Sequence, residues 1–529
     1  MDSYFSVICL GLFVPVTVIA YQIAPRRARP FVLLAASYLF FWSLSGALLA
    51  FLLLSTVSVW AVGLALGALL DVRDRELAAP GADRRSVRRL CRRRMRTALA
   101  IGLAVNLGVL AALKYLPFFS RLAAPLLACL GIGAPTGGLG IGIPIGISFY
   151  TLSAVSYLVD VYREQVPAER RPLRLALFLA FFPQIMEGPI CRFGQTADAL
   201  WAGRPVTPSG LYAGSVRILW GIAKKMIVAD RVNILVKTVF ANHGSYDGGV
   251  IALAAVLYTV QLYCDFSGTM DFAVGMGRIF GVSMPENFRQ PFASRTAAEF
   301  WQRWHVTLGT WLRDYVFYPV SLSRPAKRLT TRARRLLGNR MGPLAASAVP
   351  LACVWFLNGL WHGAGGQYLL FGLYYFVIIW LGGMAGPVSA RLCALAGIDR
   401  DGRAWHAWQR VRTLAVVFAG ELVFRSAGAH DALAMLGGLL ERFSLASFFD
   451  GTVLSLGMDA ADFGAVAAAV AVLAVVGHLR ERGVHLLDGA RRAPAVPRTA
   501  AVFALVLAII VFGAYGPSYI PVDPMYAQF

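Results

Sequence analysis

Acidic residues are scarce in this sequence: 28 Asp and Glu stand against 50 Lys and Arg, which gives a net charge of +22. In a soluble chain this imbalance would suggest a nucleic-acid partner. Here the arginines lie mostly in short segments between apolar runs, which is the positive-inside pattern of membrane proteins. No nucleic-acid-binding motif interrupts those runs. The sequence therefore predicts that nucleic acid is not a partner.

Cysteines and long polar stretches are also few. The seven cysteines are odd in number, scattered and mostly inside apolar runs, so they indicate small buried side chains and not a disulfide framework or a metal site. No long soluble domain, low-complexity linker or internal repeat is evident. The N-terminus lacks the basic region and cleavage site of a signal peptide, so residues 6–20 are predicted to remain as a membrane span.

Apolar residues are abundant instead. They make up 58% of the chain, and the mean hydropathy is +0.62. With apolar runs of about 20 residues, this composition predicts an all-α, polytopic integral membrane protein. The runs lie at about 5–22, 30–44, 46–70, 97–116, 121–149, 172–190, 211–229, 248–280, 344–361, 366–385, 411–427, 461–478 and 499–515.

Basic residues concentrate in five segments, at 26–29, 73–96, 324–340, 400–412 and 480–498. The positive-inside rule places these segments in the cytoplasm. Both chain termini are then predicted to be extracytoplasmic.

A glycine-rich segment begins at Gly137 and reads GGLGIGIPIGISFYTLSAVSYLVDVYRE. It holds five glycines and one proline in an otherwise apolar stretch, so a straight helix facing lipid is not expected. Non-helical backbone at membrane depth persists only where protein or a water-filled cavity satisfies its polar groups. We therefore predict re-entrant or tilted helices near 137–165.

Charged and aromatic residues crowd the segment EFWQRWHVTLGTWLRDYVFYPV, residues 299–320. It is long enough to span a membrane, but charges at its middle would each cost several kcal/mol against lipid. Glu299 and Arg303 stand four residues apart as a predicted ion pair, and Arg313 with Asp314 are predicted to end the helix. Wound as one helix, the segment carries one stripe that consists of Trp301, Trp304, His305, Leu308, Trp311, Leu312 and Tyr315.

Two interpretations of this segment stay open. An interfacial helix, with tryptophans among lipid headgroups and arginines in water, explains the aromatic and basic residues. A re-entrant or tilted helix near 297–320 that presents His305 to a cavity explains the histidine as well.

A second histidine follows in LACVWFLNGLWHGAGGQYLLFGLYYF. Asn358 and His362 are one helical turn apart and share a face, so Asn358 would support His362. An ionisable group at membrane depth is a candidate functional residue. The alternative is a histidine satisfied by a carbonyl in a tight helix contact. Room beside the pair is expected at Gly359, Gly363, Gly365 and Gly366.

Two further pairs of charged residues lie in or beside apolar runs. Asp265 and Asp271 are about 240° apart around a helix, so they cannot form one acid/base dyad. Asp265 is the first candidate for orienting a buried imidazole. Lys224 and Lys225, at the end of a run, are predicted to be snorkelling anchors.

The sequence resembles the bacterial membrane-bound O-acyltransferases, in the branch that acetylates alginate, and it is also similar to the teichoic acid D-alanyl transfer proteins. The resemblance rests on IPIGISFYTLSAVSYLVDVYR, FFPQIMEGPICRF, YCDFSGTMDFAVGMGRIFG, PENFRQPFASRTAAEFWQRWHVTLGTWLRDYVFYPV and NGLWHGA. These blocks follow in order over nearly the whole chain. The RWH block followed by GLWHGA is far more specific than WHG alone.

The resemblance implies one domain over 1–529, a ring of about 11–13 helices around a central tunnel. Peripheral helices would lie at 1–116, a catalytic core at about 137–385 and C-terminal helices at 411–529. His362 would be catalytic, with His305 lower in the same tunnel. Further support would come from Asp265, Trp304, Arg313 and Asp314, and the acyl donor would pass Trp301, Arg303 and Trp311.

The implied reaction moves an acyl group, most simply acetyl, from a cytosolic thioester toward hydroxyls of an extracytoplasmic polysaccharide. The donor would be acetyl-CoA or a carrier protein's phosphopantetheine thioester, and a secreted acetyltransferase could relay the group. No tightly bound cofactor or metal is implied, and the location would be the lipid bilayer of the bacterial cytoplasmic membrane. Neutral His362 would act as general base. Departures from the family pattern, which leave the acceptor open, occur at Tyr374, Tyr375, Glu187 and Cys264.

Three alternatives remain at this point. D-alanyl transfer from a carrier protein to teichoic acid is the nearest, and the basic segment 324–340 could dock either a carrier protein or the phosphates of coenzyme A. A transporter or flippase would also use buried histidines and broken helices. A purely structural partner would not need His305 and His362 together.

Overall fold

The computed structural model of the chain describes residues 3–129, 142–484, 486, 489 and 493–515. Every regular element within these ranges is helical. The helices of the first half are α1 (Val14–Ile23), α2 (Arg29–Ser45), α3 (Leu49–Ala78), α4 (Arg84–Leu110), α5 (Leu116–Cys129), α6 (Ile147–Tyr162), α7 (Pro172–Ala180), α8 (Phe182–Ile185), α9 (Phe193–Trp201), α10 (Pro208–Ala223), α11 (Asp230–Ala241) and α12 (Gly248–Ile279). The others in these ranges are α13 (Ala297–Arg303), α14 (Val306–Leu312), α15 (Tyr318–Ser321), α16 (Arg324–Ala346), α17 (Ala348–His362), α18 (Gly366–Leu395), α19 (Arg403–Arg425), α20 (Ala429–Glu441), α21 (Ala460–Glu481) and α22 (Ala495–Phe512).

Seven helical stretches of the described chain are long and apolar enough to cross a membrane. They are Arg29–Ala78, Arg84–Pro125, Gly248–Ile279, Arg324–His362, Gly366–Leu395, Ala460–Glu481 and Ala495–Phe512. They confirm the predicted all-α, polytopic membrane protein. The side that each terminus faces stays a prediction. Residues 137–141 of the glycine-rich segment and the end of the chain after Tyr515 lie outside the described residues.

The described residues of Met1–Ser215 and Phe272–Pro285 form one compact unit, and those of Val216–Asp271 and Glu286–Asp523 form another. In the first unit, α6 packs against α3 and α4, and all but two of its residues are buried. Gly146 precedes it with a φ of 69°, and a Cβ there would lie 1.9 Å from the carbonyl oxygen of Ile185. Protein therefore covers α6, as its glycine-rich approach requires. The single-domain organisation stays a prediction.

The apolar run at 172–190 does not form one continuous helix. α7 ends at Ala180, and Phe181 leaves the helical conformation with a ψ of 111° before the four-residue α8 begins. Pro183 lies in the first turn of α8. In the interior of a longer helix it would remove a backbone hydrogen bond and clash with the preceding turn, so the run breaks here.

α12 is the most enclosed of the candidate spans. Within its apolar window 72% of the residues are buried, against 39% or less in each of the other six. An enclosed span can direct charged side chains at protein partners, whereas a lipid-facing span cannot.

α17 and α18 pack closely in the second unit. A Cβ on Gly359 would lie 2.4 Å from the carbonyl oxygen of Tyr368, and one on Gly372 would lie 2.4 Å from that of Trp355. Such close approach is typical of small residues between membrane helices. The prediction that Gly359 leaves open room beside the histidine is therefore wrong, because the α18 backbone fills that space.

Candidate active site

His305 lies in a break between two short helices. α13 ends two residues before it, α14 begins directly after it, and its backbone has a left-handed φ of 46°. The side-chain oxygen of Asn287 accepts hydrogen bonds from the backbone N–H and the hydroxyl of Thr307, at 2.9 and 3.0 Å. Asn287 thus satisfies a free N–H at the start of α14. The prediction of one helix over 299–320 is wrong because this asparagine stabilises a new helix start.

The same asparagine orients the His305 ring. Asn287 Nδ2 lies 3.2 Å from His305 Nδ1. Asn287 Oδ1 lies 3.3 Å from the same ring nitrogen. If Nδ2 donates to Nδ1, the ring proton resides on Nε2. His305 is 2% exposed, and its Nε2 has no hydrogen-bond partner among the described residues. Burial favours the neutral ring, and with the proton on Nε2 this nitrogen is an available donor.

Trp361 contacts both histidines. Its ring centroid lies 5.2 Å from that of His305 and 4.9 Å from that of His362. His362 is the last residue of α17 and is buried. Phe424 and Phe371 enclose its ring at centroid distances of 4.9 and 5.8 Å. The structure thus brings the two histidines of the sequence motifs together around one indole.

Asn358 lies one turn before His362 on α17, as predicted, and both side chains are buried. The Asn358 side-chain oxygen has no hydrogen-bond partner within the part of the chain that the structure describes. A buried amide with an unused oxygen is available to bind a polar group beside His362.

Aromatic side chains of the α13–α14 segment are buried in the protein. The ring of Trp301 lies 4.9 Å from that of Tyr375 on α18. Trp304 is buried and stacks on Phe300 at 5.4 Å, and Trp311 is also buried. These positions agree with the core-entering interpretation of the segment, and the interfacial interpretation does not explain them.

Charged residues of the segment have two kinds of environment. Arg303 pairs with Glu299 at 2.9 Å, which confirms the predicted pair, and also with Glu481 on α21. Arg313 and Asp314 pair with each other at 2.9 Å in a partly exposed position. Arg303 therefore ties α13 to α21.

Buried ion pairs link the two lysines that directly follow α10 to α12. Lys225 lies 3.0 Å from Asp265 and 3.1 Å from Asp230, and Lys224 lies 2.5 Å from Asp271. The prediction of snorkelling anchors is wrong for both lysines, because carboxylates of the enclosed α12 face them. Asp265, the candidate for orienting a buried imidazole, pairs with Lys225. The residue that makes the hydrogen bond to the His305 ring is Asn287.

Sequence reasoning missed Asn287 and Glu421. Glu421, on α19, is 1% exposed, and its Oε1 has no hydrogen-bond partner among the described residues. A Cβ on the adjacent Gly420 would lie 2.4 Å from Tyr375 Oη. Glu421 could have been found from the sequence, because an ionisable residue inside an apolar run, here 411–427, is a candidate functional residue. Asn287 lies in a polar loop and offers no such signal.

Comparison with known proteins identifies the family. Residues 170–334 match the model of the membrane-bound O-acyltransferase (MBOAT) family. A protein of Pseudomonas syringae pv. tomato named probable alginate O-acetylase AlgI is 32% identical over 435 residues, which cover 82% of this chain and 74% of the relative. The chain belongs to the membrane-bound O-acyltransferase family. Membership confirms the resemblance seen in the sequence, and the protein is a membrane O-acyltransferase.

Other members of the family extend the comparison. The probable alginate O-acetylase AlgI of Azotobacter vinelandii is 31% identical over 500 residues, which cover 93% of this chain and 87% of the relative. A teichoic acid D-alanyltransferase of Bacillus subtilis is 33% identical over 241 residues, which cover 44% of this chain and 58% of the relative. The range matched by the family model contains His305 and Asn287, whereas His362 follows it.

Proposed function

We propose that the protein transfers an acetyl group from a cytosolic thioester to hydroxyls of an extracytoplasmic polysaccharide, directly or through a secreted acetyltransferase partner. The observation that carries the proposal is the pair of buried histidines around Trp361. Relatives aligned over most of the chain are named probable alginate O-acetylases, which supports the acetyl group and the polysaccharide. The bacterial cytoplasmic membrane fits such a reaction.

His362 is proposed as the general base. Its neutral ring removes the proton from the acceptor hydroxyl as the oxygen attacks the thioester carbonyl carbon. The tetrahedral intermediate then loses the thiolate, the imidazolium returns the proton to that sulfur, and the products are an ester and a free thiol. Phe371 and Phe424 pack around the ring and help to exclude water from it.

His305 is proposed to bind the carbonyl oxygen of the thioester through its Nε2–H, which points away from Asn287. Asn358 lies one turn from His362 and is proposed to support that residue. Donors that are fixed before the reaction stabilise the negative charge that develops on the carbonyl oxygen.

Asn287→Ala tests the proposed role of His305. The variant loses the cap of α14 and the partner of His305 Nδ1, so we expect a stability loss of about 1–3 kcal/mol and a kcat lowered about 10²-fold. Thermal unfolding and acetyl-transfer kinetics measure the two effects. Asn242→Ala, at an exposed asparagine, is the control. A rate that falls only with the folded fraction would contradict a role in positioning.

The donor is proposed to enter beside α13. Arg303 of α13 pairs with Glu481 of α21, within the basic segment 480–498. Arg295, just before α13, contacts His406 in the basic segment 400–412. Two segments that the positive-inside rule assigns to the cytoplasm therefore lie beside α13, which supports a cytosolic donor.

D-alanyl transfer is the second candidate, and the Bacillus subtilis relative favours it. That alignment covers 44% of this chain, however, whereas the Azotobacter vinelandii alignment covers 93%. The longer similarity supports acetyl transfer. Membership in a family of acyltransferases favours both of these reactions over transport or lipid flipping.

The choice of donor tests the proposal. Vesicles that contain the protein receive either radiolabelled acetyl-CoA or a carrier protein loaded with radiolabelled D-alanine, and label in the polysaccharide fraction is measured. We expect label from acetyl-CoA only. Label from the carrier protein alone would assign D-alanyl transfer, and label from neither donor would contradict both reactions.

A further inference from the structure

The first half of α4 carries a dense group of arginines. Eight arginines fall within residues 84–96, and all of them are exposed. We call these eight residues the arginine cluster. The helix begins here because the side chain of Asp83 accepts hydrogen bonds from the backbone N–H groups of Arg85 and Ser86, at 3.0 and 3.3 Å. The cluster is therefore held on a capped, regular helix and not on a loop.

Carboxylates do not pair with the arginine cluster. Arg73 of α3 pairs with Asp74 at 2.8 Å and with Glu164 at 2.5 Å, and Asp71 lies 3.8 Å from Arg170. Within the part of the chain that the structure describes, no arginine of the cluster forms an ion pair. Arginines four residues apart are neighbours on a helix and repel each other. The cluster thus keeps an uncompensated positive charge, which attracts anions.

Contacts with α3 determine which face of α4 is buried. The side-chain oxygen of Asn106 accepts a hydrogen bond from the Ser55 hydroxyl at 2.6 Å, and its Nδ2 donates to Ser58 at 3.2 Å. The Cys91 thiol donates to the carbonyl oxygen of Leu69 at 3.3 Å. Because both halves of α4 are fixed against α3 in this way, the arginines remain exposed on its other sides.

An open groove of about 1060 Å³ lies on the exposed side of α4. Arginines line one part of it, and Thr97, Ala100, Ile101 and Ala104 line the rest. Ala100 and Ala104 follow Arg96 at intervals of four residues, so they continue the same face of the helix. The groove therefore joins a cationic surface to an apolar one. The arginines that line it are Arg85, Arg88, Arg89, Arg92, Arg93 and Arg96.

We propose that this groove binds an anionic phospholipid, with the phosphate on the arginine cluster and an acyl chain along Ala100, Ile101 and Ala104. α4 belongs to the candidate span Arg84–Pro125, and basic residues directly beside a membrane span attract anionic lipids. Guanidinium groups bind phosphate oxygens through paired hydrogen bonds. A soluble anion would leave the apolar part of the groove unused, whereas a phospholipid fills both parts. The positive-inside rule assigns this lipid to the cytoplasmic leaflet.

Lipid binding to the purified full-length protein tests the inference. The protein in zwitterionic detergent is titrated with dioctanoyl phosphatidylglycerol, dioctanoyl phosphatidylcholine or glycerol 3-phosphate, and bound molecules are counted by native mass spectrometry. We expect phosphatidylglycerol to bind at least about tenfold more tightly than the other two. Arg89→Gln/Arg93→Gln should weaken its binding about tenfold. The control is Arg391→Gln/Arg400→Gln, which removes the same charge at exposed arginines of another segment and should bind like the wild type.

Thermal unfolding in nanodiscs provides a second measurement. A lipid that binds the folded protein raises its melting temperature. The wild type should therefore melt at a higher temperature in phosphatidylglycerol than in phosphatidylcholine, and this difference should shrink in Arg89→Gln/Arg93→Gln. A variant that has lost its fold would melt without a cooperative transition in either lipid, so the measurement also shows whether the variant is folded.

Four outcomes would overturn the inference. Equal binding of phosphatidylglycerol and phosphatidylcholine would show that the arginines do not select the headgroup. Equally tight binding of glycerol 3-phosphate would assign the cluster to a soluble phosphate. Equal losses in Arg89→Gln/Arg93→Gln and Arg391→Gln/Arg400→Gln would indicate net charge and not a site. A raised KM for the acyl donor in Arg89→Gln/Arg93→Gln, with unchanged lipid binding, would assign the cluster to the donor.

Discussion

His362→Ala is expected to lower kcat for acetyl transfer by about 10²–10⁴-fold, because the variant has no base to remove the hydroxyl proton. The ring that is lost is buried among Trp361, Phe371 and Phe424. Steady-state transfer from acetyl-CoA by the purified protein measures the effect, and the thermal unfolding midpoint shows whether the variant remains folded.

Two further variants separate chemistry from packing. His362→Gln fills most of the space of the imidazole, so we expect the same loss of rate with a melting temperature close to that of the wild type. His430→Ala removes a histidine whose side chain is 96% exposed, and it should transfer at the wild-type rate. Turnover by His362→Gln at the wild-type rate would move the base elsewhere in the protein.

Asp271→Asn is expected to produce the largest loss of stability. Asp271 is buried and pairs with Lys224 at 2.5 Å and with Arg217. The variant leaves Lys224 buried without a carboxylate, and breaking such a pair costs about 3–5 kcal/mol. Arg217 keeps its second partner, Glu286, at 2.6 Å. The melting temperature in detergent measures the loss.

A double variant and an exposed pair make this prediction specific. Lys224→Gln combined with Asp271→Asn removes both charges, so it should recover part of the stability that Asp271→Asn loses. Asp74→Asn breaks a pair with Arg73 in which the aspartate is 64% exposed, and it should cost about 0–1 kcal/mol. Equal losses in Asp271→Asn and Asp74→Asn would show that the buried network does not stabilise the fold.

The sequence predicted the features that depend on local pattern or composition. Apolar run length indicated the membrane spans, and the spacing of Asn358 and His362 placed both on one turn of α17. The four-residue spacing of Glu299 and Arg303 predicted their ion pair. Each of these features arises within one helix, where periodicity determines which residues are neighbours.

Features that depend on contacts distant in sequence were not predictable in this way. The break at His305 requires Asn287, which is 18 residues away in another loop. The lysine pair looked like membrane anchors because its carboxylate partners on α12 lie 40 or more residues further along the chain. Only the tertiary fold brings these groups together, and the partner charge then compensates much of the cost of burying each charge.

Transfer across a sealed membrane tests the central claim most directly. Proteoliposomes enclose radiolabelled acetyl-CoA, an oligosaccharide acceptor is supplied outside, and acetyl ester on the external acceptor is measured for the wild type and His362→Ala. The account predicts external acetyl ester with the wild type and none with His362→Ala. Equal acetylation by both proteins, or acetylation only when donor and acceptor share one side, would contradict it.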